Sequence, residues 1–404
     1  MPTASSTATC IGNGWPREAP SEAPSAGGAP RTRVAVAVRV LHVECGRHLY
    51  GGPQQVLYLL RGLAEATGER QDLACPPGSG IARAAREVAE VHEVPLRGEL
   101  DAGALLRLGR LIRTRRPALV HVHSRRGADW WGGWAARRAG VPAVVSRRVV
   151  SPEPLWVARL KYGLYRAVIA ISEGIRNVLL AQGVAPGKVV TVPSAVDTDV
   201  YRPGGDRLWL RHAFGFPPEA RVLAMVGQFI PKKGHRLLLQ ALEELLPAYP
   251  DLRVLLLGTG ALLEGVRAEV AARGWADRVH LPGFREDLPR VLPALDLVVH
   301  PAFEEGLGVS LLQSAAAGVP IVGSAVGGIP EIVRDGVNGL LVPPGDGAAL
   351  ERAVRSLLDA PARALAMGAE GRRIAERDFS LGAMVAGNLR VYRDVLGSGR
   401  ATQH

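Results

Sequence analysis

Cysteine is scarce in this sequence of 404 residues, with Cys10, Cys45 and Cys75 as the whole complement. Three widely spaced cysteines fit neither a disulfide framework nor a zinc cage, and they favour a reducing compartment. Long apolar segments are also missing, since no run of roughly eighteen residues is both uncharged and apolar throughout, as a transmembrane helix requires. The sequence therefore predicts a cytoplasmic protein.

Disorder and low complexity are excluded for most of the chain. Hydrophobic residues form 47% of it and charged residues 22%, as in ordinary globular proteins. The length exceeds that of a usual single core and predicts two domains. Residues 1–32 differ, because they are rich in Ser, Thr, Ala, Pro and Gly and lack the basic start and apolar block of a signal peptide. We expect a disordered tail or a misplaced start there.

The net charge of +11 is concentrated in the first half of the chain. Residues 1–200 contain 26 Lys and Arg against 16 Asp and Glu, whereas the remainder contains 23 against 22. Much of the excess lies in four arginine doublets, Arg115–Arg116, Arg125–Arg126, Arg137–Arg138 and Arg147–Arg148. One interpretation is a surface for an anionic partner, either acidic lipid at the inner membrane face or a phosphorylated acceptor. The other is an ordinary solvated surface.

Nucleic acid is a weaker interpretation of the same charge. Trp130, Trp131 and Trp134 lie near the arginines, but they have helical spacing in a segment rich in Ala and Gly. That pattern favours packing over base stacking. No nucleic-acid partner is therefore predicted.

Strands and helices alternate along the chain, as in doubly wound α/β domains. The first unit is a strand VAVAVRVLHV (34–43), a glycine turn (51–52) and a helix QVLYLLRGLAEA (55–66). Further strands are predicted at 118–123, 142–146, 167–172 and 188–196. We assign residues 33–200 to a first Rossmann-like domain.

A second series of strands begins at residue 221. The preceding segment, 201–219, contains a Gly pair and tandem prolines and predicts an interdomain linker. Strands are predicted at 221–229, 253–260, 277–284, 296–303, 320–328 and 339–344. Residues 220–378 form the second Rossmann-like domain, and 379–404 form a C-terminal helix that packs back toward the first. Ligands bind at the carboxyl ends of parallel strands, so we expect the site in the cleft between the domains.

The most informative segment is HPAFEEGLGVSLLQSAAAGVPIVGSAVGGIPE (300–331). Glu304 and Glu305 precede a glycine-rich turn, and an apolar helix starts near Val309. Backbone N–H groups at such a helix start favour an anion such as a diphosphate, and a carboxylate beside them can bind sugar hydroxyls. Gln313 follows Glu305 by eight residues, about two helical turns, which predicts a position on the same face.

The segment VGQFIPKKGH (226–235) follows the first strand of the second domain. Lys232 and Lys233 lie just before a predicted helix start, where they can reach the same phosphates. An exposed lysine pair in a loop is the simpler interpretation of this segment taken alone.

Together these motifs resemble the family 4 glycosyltransferases of the GT-B fold, which transfer a sugar from a nucleotide-sugar with retention of configuration. The resemblance runs from about Val34 to the final helix. It rests on EGLGVSLLQSAAAGVPIV (305–322), VGGIPEIVRDGVNGLLVPPGD (326–346), VGQFIPKKGH (226–235) and IAISEGIRNVLLAQGVAPGKVVTVPSAVD (169–197). It implies two Rossmann-like domains, one for the acceptor and one for the donor, that face a central cleft. It also implies a role in bacterial cell-surface polysaccharide or lipopolysaccharide synthesis.

The resemblance implies roles for individual residues. Glu305 would be the first acidic residue of the family's E-x7-E pair and would contact the hydroxyls of the donor sugar. The donor diphosphate would be bound by Lys233 and by the amides of Gly306, Leu307, Gly308 and Val309. In the first domain, His123 would lie beside the reacting sugar, and the loop near phosphate and acceptor would comprise Gly51, Gly52 and Gln54.

Two positions depart from the family pattern. Gln313 occupies the second acidic position, which usually binds the ribose, and an amide binds hydroxyls without the help of charge. Gln228 stands where the family often has a diphosphate-binding arginine, a loss that Lys232 would offset. A smaller departure is PSAVD (193–197) in place of PNGVD.

The expected function is the transfer of a hexose-type sugar from a UDP- or GDP-linked donor to a glycan or lipid-linked acceptor, without a metal or other cofactor. Lys233 and the helix-start amides would stabilise the departing diphosphate. Two alternatives stay open. Because Gln228 and Gln313 replace charged residues, one is a non-catalytic protein that binds glycan or lipid. The other is a sugar-nucleotide epimerase, which needs no acceptor.

Two metal-like motifs are interpreted as structural. Asp197-Thr198-Asp199 resembles the DxD motif of other glycosyltransferases, but its first Asp lies in the PSAVD loop. His121 and His123 face the same side of one strand. Two histidines without a third ligand are poor evidence for zinc.

Overall fold

The computed structural model describes residues 38–123 and 127–398. The predicted tail (1–32), the start of the predicted first strand (34–37) and the doublet Arg125–Arg126 lie outside these ranges. Within them, the strands form two parallel sheets of seven and six strands that alternate with helices along the chain. The α/β architecture with two doubly wound sheets, predicted from the sequence, is confirmed.

The first sheet and its helices form the first lobe. The strand order is β3-β2-β1-β4-β5-β6-β7, and all neighbours are parallel. The strands are β1 (Val40–Val43), β2 (Gln71–Cys75), β3 (Ala89–Glu93), β4 (Leu119–Val122), β5 (Ala143–Arg147), β6 (Ala167–Ala170) and β7 (Val189–Thr191). The helices are α1 (Gly52–Thr67), α2 (Gly80–Ala84), α3 (Gly103–Arg115), α4 (Ala128–Arg138), α5 (Leu155–Gly163) and α6 (Glu173–Ala181).

The second sheet and its helices form the second lobe, with the order β10-β9-β8-β11-β12-β13. The strands are β8 (Arg221–Val226), β9 (Leu252–Leu257), β10 (Val279–Gly283), β11 (Leu297–His300), β12 (Ile321–Ser324) and β13 (Gly339–Val342). The helices after the first lobe are α7 (Arg207–Phe214), α8 (His235–Ala248), α9 (Leu263–Ala272), α10 (Leu288–Val291), α11 (Val309–Ala316), α12 (Ile329–Ile332), α13 (Gly347–Leu358), α14 (Pro361–Asp378) and α15 (Leu381–Ser398).

Strands β2 and β3 were not predicted, because polar residues are buried in β2. The side chain of Asp72 is fully buried and accepts hydrogen bonds from Arg39 at 2.9 Å and Arg115 at 2.8 Å. Gln71 Oε1 accepts a hydrogen bond from the Val40 amide at 2.8 Å. These partners satisfy the buried polar groups, which makes a strand without an apolar pattern stable in the sheet.

The segment 201–219, predicted as a linker, contains the helix α7. Asp206 caps this helix, since its Oδ1 accepts a hydrogen bond from the Trp209 amide at 2.8 Å. Leu210 and Phe216 are buried. The tandem prolines lie beyond the end of α7, where they do not interrupt it.

The last helix, α15, packs against α1 of the first lobe. A Cβ at Gly62 would lie 2.4 Å from Val385 Cγ2, so the glycine permits this close helix contact. The buried hydroxyl of Tyr392 is hydrogen-bonded to His121 Nδ1 at 2.7 Å. The end of the described chain thus contributes to the interior of the first lobe.

The strand order reverses between β1 and β4 in the first lobe and between β8 and β11 in the second. Loops that leave such neighbouring strands diverge and open a crevice. His123 follows β4 directly, and Glu305 lies in the loop after β11. One hydrophobic cluster includes residues of both lobes, such as Ile175 of α6 and Leu307. The loops that carry the predicted site residues therefore leave the sheets at these two reversal points.

Candidate functional site

Glu305 is the centre of a hydrogen-bonded cluster after β11. Its Oε2 pairs with Nζ of Lys233 and accepts a hydrogen bond from His300 Nε2 at 2.9 Å. Its Oε1 accepts a hydrogen bond from the Gly306 amide at 3.1 Å. The structure thus brings together Glu305 and Lys233, and it adds His300, which sequence reasoning did not select. The signal for His300 was its place at the end of a strand beside the reversal of strand order.

Two backbone contacts hold this cluster in place. The Phe303 amide donates to the carbonyl of Lys232 at 2.8 Å, which joins the loop after β11 to the loop after β8. Gly327 has φ +55°, and a Cβ on it would lie 1.8 Å from the carbonyl oxygen of Glu305. Only glycine permits this approach, so the turn after β12 fixes the backbone beside Glu305.

The Glu305 carboxyl is ionised well into the acid range. Burial raises its pKa, but the hydrogen bond from His300 and the charge of Lys233 outweigh burial and lower the pKa to about 2. Burial lowers the pKa of His300 below its usual 6.5. A neutral His300 therefore donates its Nε2 hydrogen to an anionic carboxylate at neutral pH.

The turn between Glu305 and α11 presents backbone donors. Gly308, with φ +98°, is the N-cap residue of α11. The amides of Leu307 and Gly308 donate to no oxygen of residues 38–123 and 127–398. Free N–H groups at a helix start favour an anion, and the ammonium of Lys233 adds a full positive charge nearby. This edge of the second lobe is therefore suited to bind a diphosphate.

The two other residues predicted for the diphosphate lie on the loop after β8. The side chain of Gln228 is exposed, and that of Lys232 is half-buried. The contact that ties Lys232 to the Glu305 loop comes from its backbone carbonyl. Neither side chain belongs to the hydrogen-bonded cluster around Glu305.

The structure corrects the predicted relation between Glu305 and Gln313. Gln313 lies in α11, but Glu305 precedes the N-cap of that helix, so helical periodicity does not relate their side chains. Gln313 Nε2 instead donates to the hydroxyl of Tyr201 at 2.9 Å. Gln313 therefore contacts the segment that connects the lobes, outside the Glu305 cluster.

Three buried histidines meet at the carboxyl ends of β1 and β4. His42 Nδ1 and His123 Nε2 are hydrogen-bonded at 2.8 Å, and the ring of His121 lies against that of His123, tilted by 37°, with 3.7 Å between ring centroids. His121 is also bonded to Ser146 Oγ at 2.8 Å through Nε2. Sequence reasoning selected His123 and overlooked His42. The available signal was a histidine in the motif LHV, near the end of the first predicted strand.

Hydrogen bonds occupy four of the six ring nitrogens of the histidine cluster, while the buried His42 Nε2 and His123 Nδ1 have no partner among the described residues. One nitrogen from each ring lies within 4.8 Å of the others, which fits a metal by distance alone. However, the nitrogens of His42 and His123 that face each other are already paired, and both nitrogens of His121 have hydroxyl partners. Burial lowers the pKa of His42 to about 3, and those of His121 and His123 well below 6.5. All three rings are therefore neutral at pH 7.

The predicted glycine loop of the first lobe begins α1. Gly51 has φ +57° and is the N-cap residue, and Gly52 and the half-buried Gln54 lie in the first turn. The next residue, Gln55, is buried and bonded to both the amide and the carbonyl of Ala195 at 2.8 Å. That pair of bonds anchors the loop to the PSAVD segment.

The Asp-Thr-Asp motif has a structural role in the same segment. Asp197 Oδ1 accepts hydrogen bonds from the amides of Asp199 at 3.1 Å and Val200 at 3.2 Å. This carboxylate therefore stabilises its own turn.

The loops of the two lobes are in direct contact at the site. Ser172 Oγ donates to the carbonyl of Gly306 at 2.7 Å, and the Gly174 amide donates to Glu331 Oε1 at 3.2 Å. The start of α6 therefore contacts both the Glu305 loop and α12. The histidine network and the Glu305 cluster belong to one cleft.

Two family models match the chain. A model described as glycosyl transferases group 1 matches residues 207–374, and one described as glycosyltransferase family 4 matches residues 50–200. The matches fall on the second and first lobes respectively. In the described residues, no helix is both long and apolar enough to cross a membrane.

Curated relatives match over much of their length. The chain is 32% identical to the 2-deoxystreptamine glucosyltransferase of Streptomyces kanamyceticus over 386 residues, which are 86% of this chain and 99% of the relative. It is 33% identical to the D-inositol 3-phosphate glycosyltransferase of Segniliparus rotundus over 314 residues, 70% of this chain and 68% of the relative.

Solved structures share the fold at lower sequence identity. A glycosyltransferase from Rickettsia africae superposes with a TM-score of 0.79 and 18% identity, covering 89% of this chain and 98% of that one. Anabaena HepE, in complex with UDP and glucose, superposes with a TM-score of 0.77 and 20% identity, covering 88% and 99%. These likenesses show the GT-B fold.

Proposed function

The chain belongs to the family 4 glycosyltransferases of the GT-B fold, and from this premise we propose that it moves a hexose-type sugar from a UDP- or GDP-linked donor to a hydroxyl of a small polyol. The anomeric configuration is retained. The observation that carries the proposal is the Lys233–Glu305–His300 cluster beside the free amides of Leu307 and Gly308.

These groups match the charges that develop during the reaction. The bond between the anomeric carbon and the diphosphate oxygen breaks, and the ammonium of Lys233 and the amides stabilise the negative charge on the leaving group. The acceptor oxygen attacks the anomeric carbon from the same face. Its proton passes to the departing phosphate oxygen, so the protein supplies no nucleophile. Glu305 accepts hydrogen bonds from sugar hydroxyls, and the neutral His123 faces the sugar from the first lobe.

The names of the curated relatives support this acceptor class. One relative is named for D-inositol 3-phosphate and the other for 2-deoxystreptamine, and both compounds are hydroxylated six-membered carbocycles. A cyclitol of this kind is the proposed acceptor. We place the protein in the cytoplasm, where nucleotide-sugars are made.

A lipid-linked acceptor of cell-surface glycan synthesis is the second candidate, favoured by one surface. Helix α5 exposes Leu155, Trp156 and Leu160, each with 59% or more of its surface accessible, and Arg159 lies among them. Exposed apolar side chains beside a cation suit contact with acidic inner-membrane lipid. This candidate predicts that the protein sediments with acidic vesicles, less so at high salt, and that a W156S/L160S double variant does not.

The test is a panel of UDP- and GDP-hexoses with purified protein. Donor binding should raise the melting temperature, and incubation with myo-inositol, D-inositol 3-phosphate or 2-deoxystreptamine should give glycosylated product. E305Q should lower transfer by about 100-fold or more. The matched control is E304Q, because the neighbouring Glu304 is exposed and its carboxylate accepts, within the described part of the chain, one hydrogen bond, from Ser151 Oγ at 3.4 Å.

The outcomes separate the alternatives. Full activity of E305Q would contradict the proposal. Calorimetry without any nucleotide binding would favour the non-catalytic glycan-binding protein. A change in the sugar of the nucleotide-sugar without an acceptor would favour the epimerase.

A further inference from the structure

The doublet Arg147–Arg148 consists of two arginines with different surroundings, and neither lies on an open surface. Arg147 ends β5, is 2% exposed and pairs with Glu153, whose oxygen lies 3.3 Å from its NH1. Arg148 follows the strand and enters the cleft. The interpretation of this doublet as an ordinary solvated surface is therefore wrong.

The guanidinium of Arg148 has few partners within the described residues. Its NH1 donates to Ser194 Oγ at 3.3 Å, and its buried Nε has no acceptor. No carboxylate of residues 38–123 and 127–398 lies within ion-pair distance of it. By contrast, the buried Lys161 has both Asp129 at 2.8 Å and Glu153 at 2.6 Å. Arg148 is half-buried, and a cation whose Nε is buried without such a partner is costly unless an anion binds to it.

The pKa of Arg148 is consistent with a guanidinium that is removed from water and lacks a close carboxylate partner. Burial lowers the pKa of the Arg148 guanidinium, and the charge of the nearby Glu44 opposes that effect. Glu44 uses its Oε1 to accept a hydrogen bond from the Gly46 amide at 2.7 Å. The guanidinium still presents planar N–H donors that match the oxygens of a phosphate.

Arg148 lies between the groups already described in the cleft. A Cβ on Gly52 would be 3.7 Å from its Cδ, and a Cβ on Gly306 would be 2.5 Å from its carbonyl oxygen. It lines a small cavity together with His123, Ser146, Ser194 and Asn388. The side chain thus borders the glycine turn of the first lobe, beside the ring of His123.

We propose that Arg148 and Ser194 form an anion subsite for a phosphate group on the acceptor, so that the acceptor is a phosphorylated cyclitol and not a cationic one. The inference deepens the proposed function and rests on it. The subsite is assigned to the acceptor and not to the donor diphosphate, because its side-chain groups belong to the first lobe and adjoin His123, whereas Lys233 and the α11 amides hold the donor phosphates.

The subsite discriminates between the acceptors of the two curated relatives. D-inositol 3-phosphate is an anion, whereas the amines of 2-deoxystreptamine make it a cation at neutral pH. A guanidinium attracts the first and repels the second. Arg148 would therefore select between two polyols of similar shape by charge.

The experiment measures binding and turnover separately. Calorimetry in the presence of UDP should show tighter binding of D-inositol 3-phosphate than of myo-inositol or 2-deoxystreptamine, by about 100-fold. In R148Q that preference should fall to within about threefold, whereas R148K should keep part of it. S194A, a smaller change, should weaken phosphate binding by about tenfold. The matched control is R137Q, which removes the same charge from the exposed end of α4.

The outcomes are distinct from those for the proposed function. Equal binding of the three polyols by the wild type, or an R148Q that keeps the preference while melting like the wild type, would overturn the subsite. Weaker UDP binding by R148Q with unchanged inositol phosphate binding would assign the guanidinium to the donor and likewise overturn it. Glycosyl transfer by the wild type is measured in a separate assay. Absence of transfer would contradict the proposed function, whereas the calorimetric comparison of the three polyols would still test the anion subsite.

Discussion

The ammonium of Lys233 is in ion-pair contact with the carboxylate of Glu305, although the two residues are 72 positions apart in sequence. His300 donates to the same carboxylate oxygen. In the proposed function, a donor diphosphate bound beside α11 would compete with Glu305 for Lys233. The pair would then hold the lysine at the proposed phosphate position before the donor arrives, with its charge compensated.

The first prediction concerns this lysine. K233M should lower kcat/KM for the nucleotide-sugar by about 100- to 1,000-fold, because it removes the full positive charge that faces the leaving group. R236M is the matched control, since the Arg236 side chain lies in the first turn of α8, is 72% exposed and, among the described residues, has one ion pair, at 3.7 Å to Glu269. Steady-state kinetics with a saturating acceptor provide the measurement. A K233M enzyme within threefold of the wild type would contradict the assignment.

The second prediction concerns pH and stability. The folded pKa of Glu305, about 2, lies below its ordinary 4.5, so the carboxylate stabilises the fold above pH 4.5 and loses that contribution as the pH falls toward 2. The contribution is about 3 kcal/mol at neutral pH. The wild type should therefore melt about 5 °C above E305Q from pH 8 to pH 5, with the gap narrowing below pH 4.5. A gap that widens as the pH falls would show the opposite sign of coupling.

The third prediction concerns His42 as a positioning residue. H42F removes the partner of His123 Nε2 and should lower kcat by about tenfold while changing the KM of the donor much less. H42N, which can still hydrogen-bond, should recover part of kcat. H48F is the control, because His48 is exposed in the loop that follows the same strand, β1. A purely structural role would instead lower the melting temperature of H42F and leave its kcat per folded molecule unchanged.

The same network predicts a pH profile. The pKa values of His42 and His123 lie well below 6.5, so both rings stay neutral between pH 5 and 8. With an unphosphorylated acceptor, whose charge does not change in this range, kcat should show no acid limb near pH 6.5. Loss of activity with a midpoint near that value would show that a histidine in the cleft titrates there.

The fourth prediction concerns the departure at Gln313. Q313E restores the acidic residue that the family usually has. The Tyr201 hydroxyl, which now accepts a hydrogen bond from Gln313 Nε2 at 2.9 Å, can instead donate to the new carboxylate. A carboxylate forms stronger hydrogen bonds to hydroxyls than an amide does. The Kd for UDP should fall by about three- to tenfold. An unchanged or weaker affinity, measured by calorimetry, would show that Gln313 does not contact the ribose.

The sequence was sufficient for most of the fold. Buried strands such as β8 and β11 are continuous apolar runs, and the starts of α1, α8 and α11 carry glycine, so their positions could be predicted. Strand β2 could not, since Asp72 and Gln71 are stabilised by partners from β1 and α3 that only the folded sheet supplies. The pattern of apolar residues in the sequence identifies strands and helices that are stabilised by burying their own apolar side chains. It does not identify a strand such as β2, whose polar residues depend on partners elsewhere in the fold.

The same distinction holds for the site. Glu305 and Lys233 lie in recognisable motifs, whereas His300 and His42 are single residues whose role depends on their neighbours in space. Arg148 belonged to a doublet that suggested solvated charge, and only the position of Glu153 beside Arg147 shows that the two arginines differ. The helical relation inferred for Glu305 and Gln313 failed because the turn before α11 breaks the periodicity.

The return of α15 to the first lobe has a consequence for recombination between related enzymes. A hybrid made by joining two parents at a single point after β7 would take α1 from one parent and α15 from the other. The tight Gly62–Val385 contact and the Tyr392–His121 bond would then have to survive between mismatched sequences. Exchange of specificity between such enzymes thus requires two crossovers, one on each side of the second sheet. The last helix, α15, then comes from the same parent as the first lobe against which it packs.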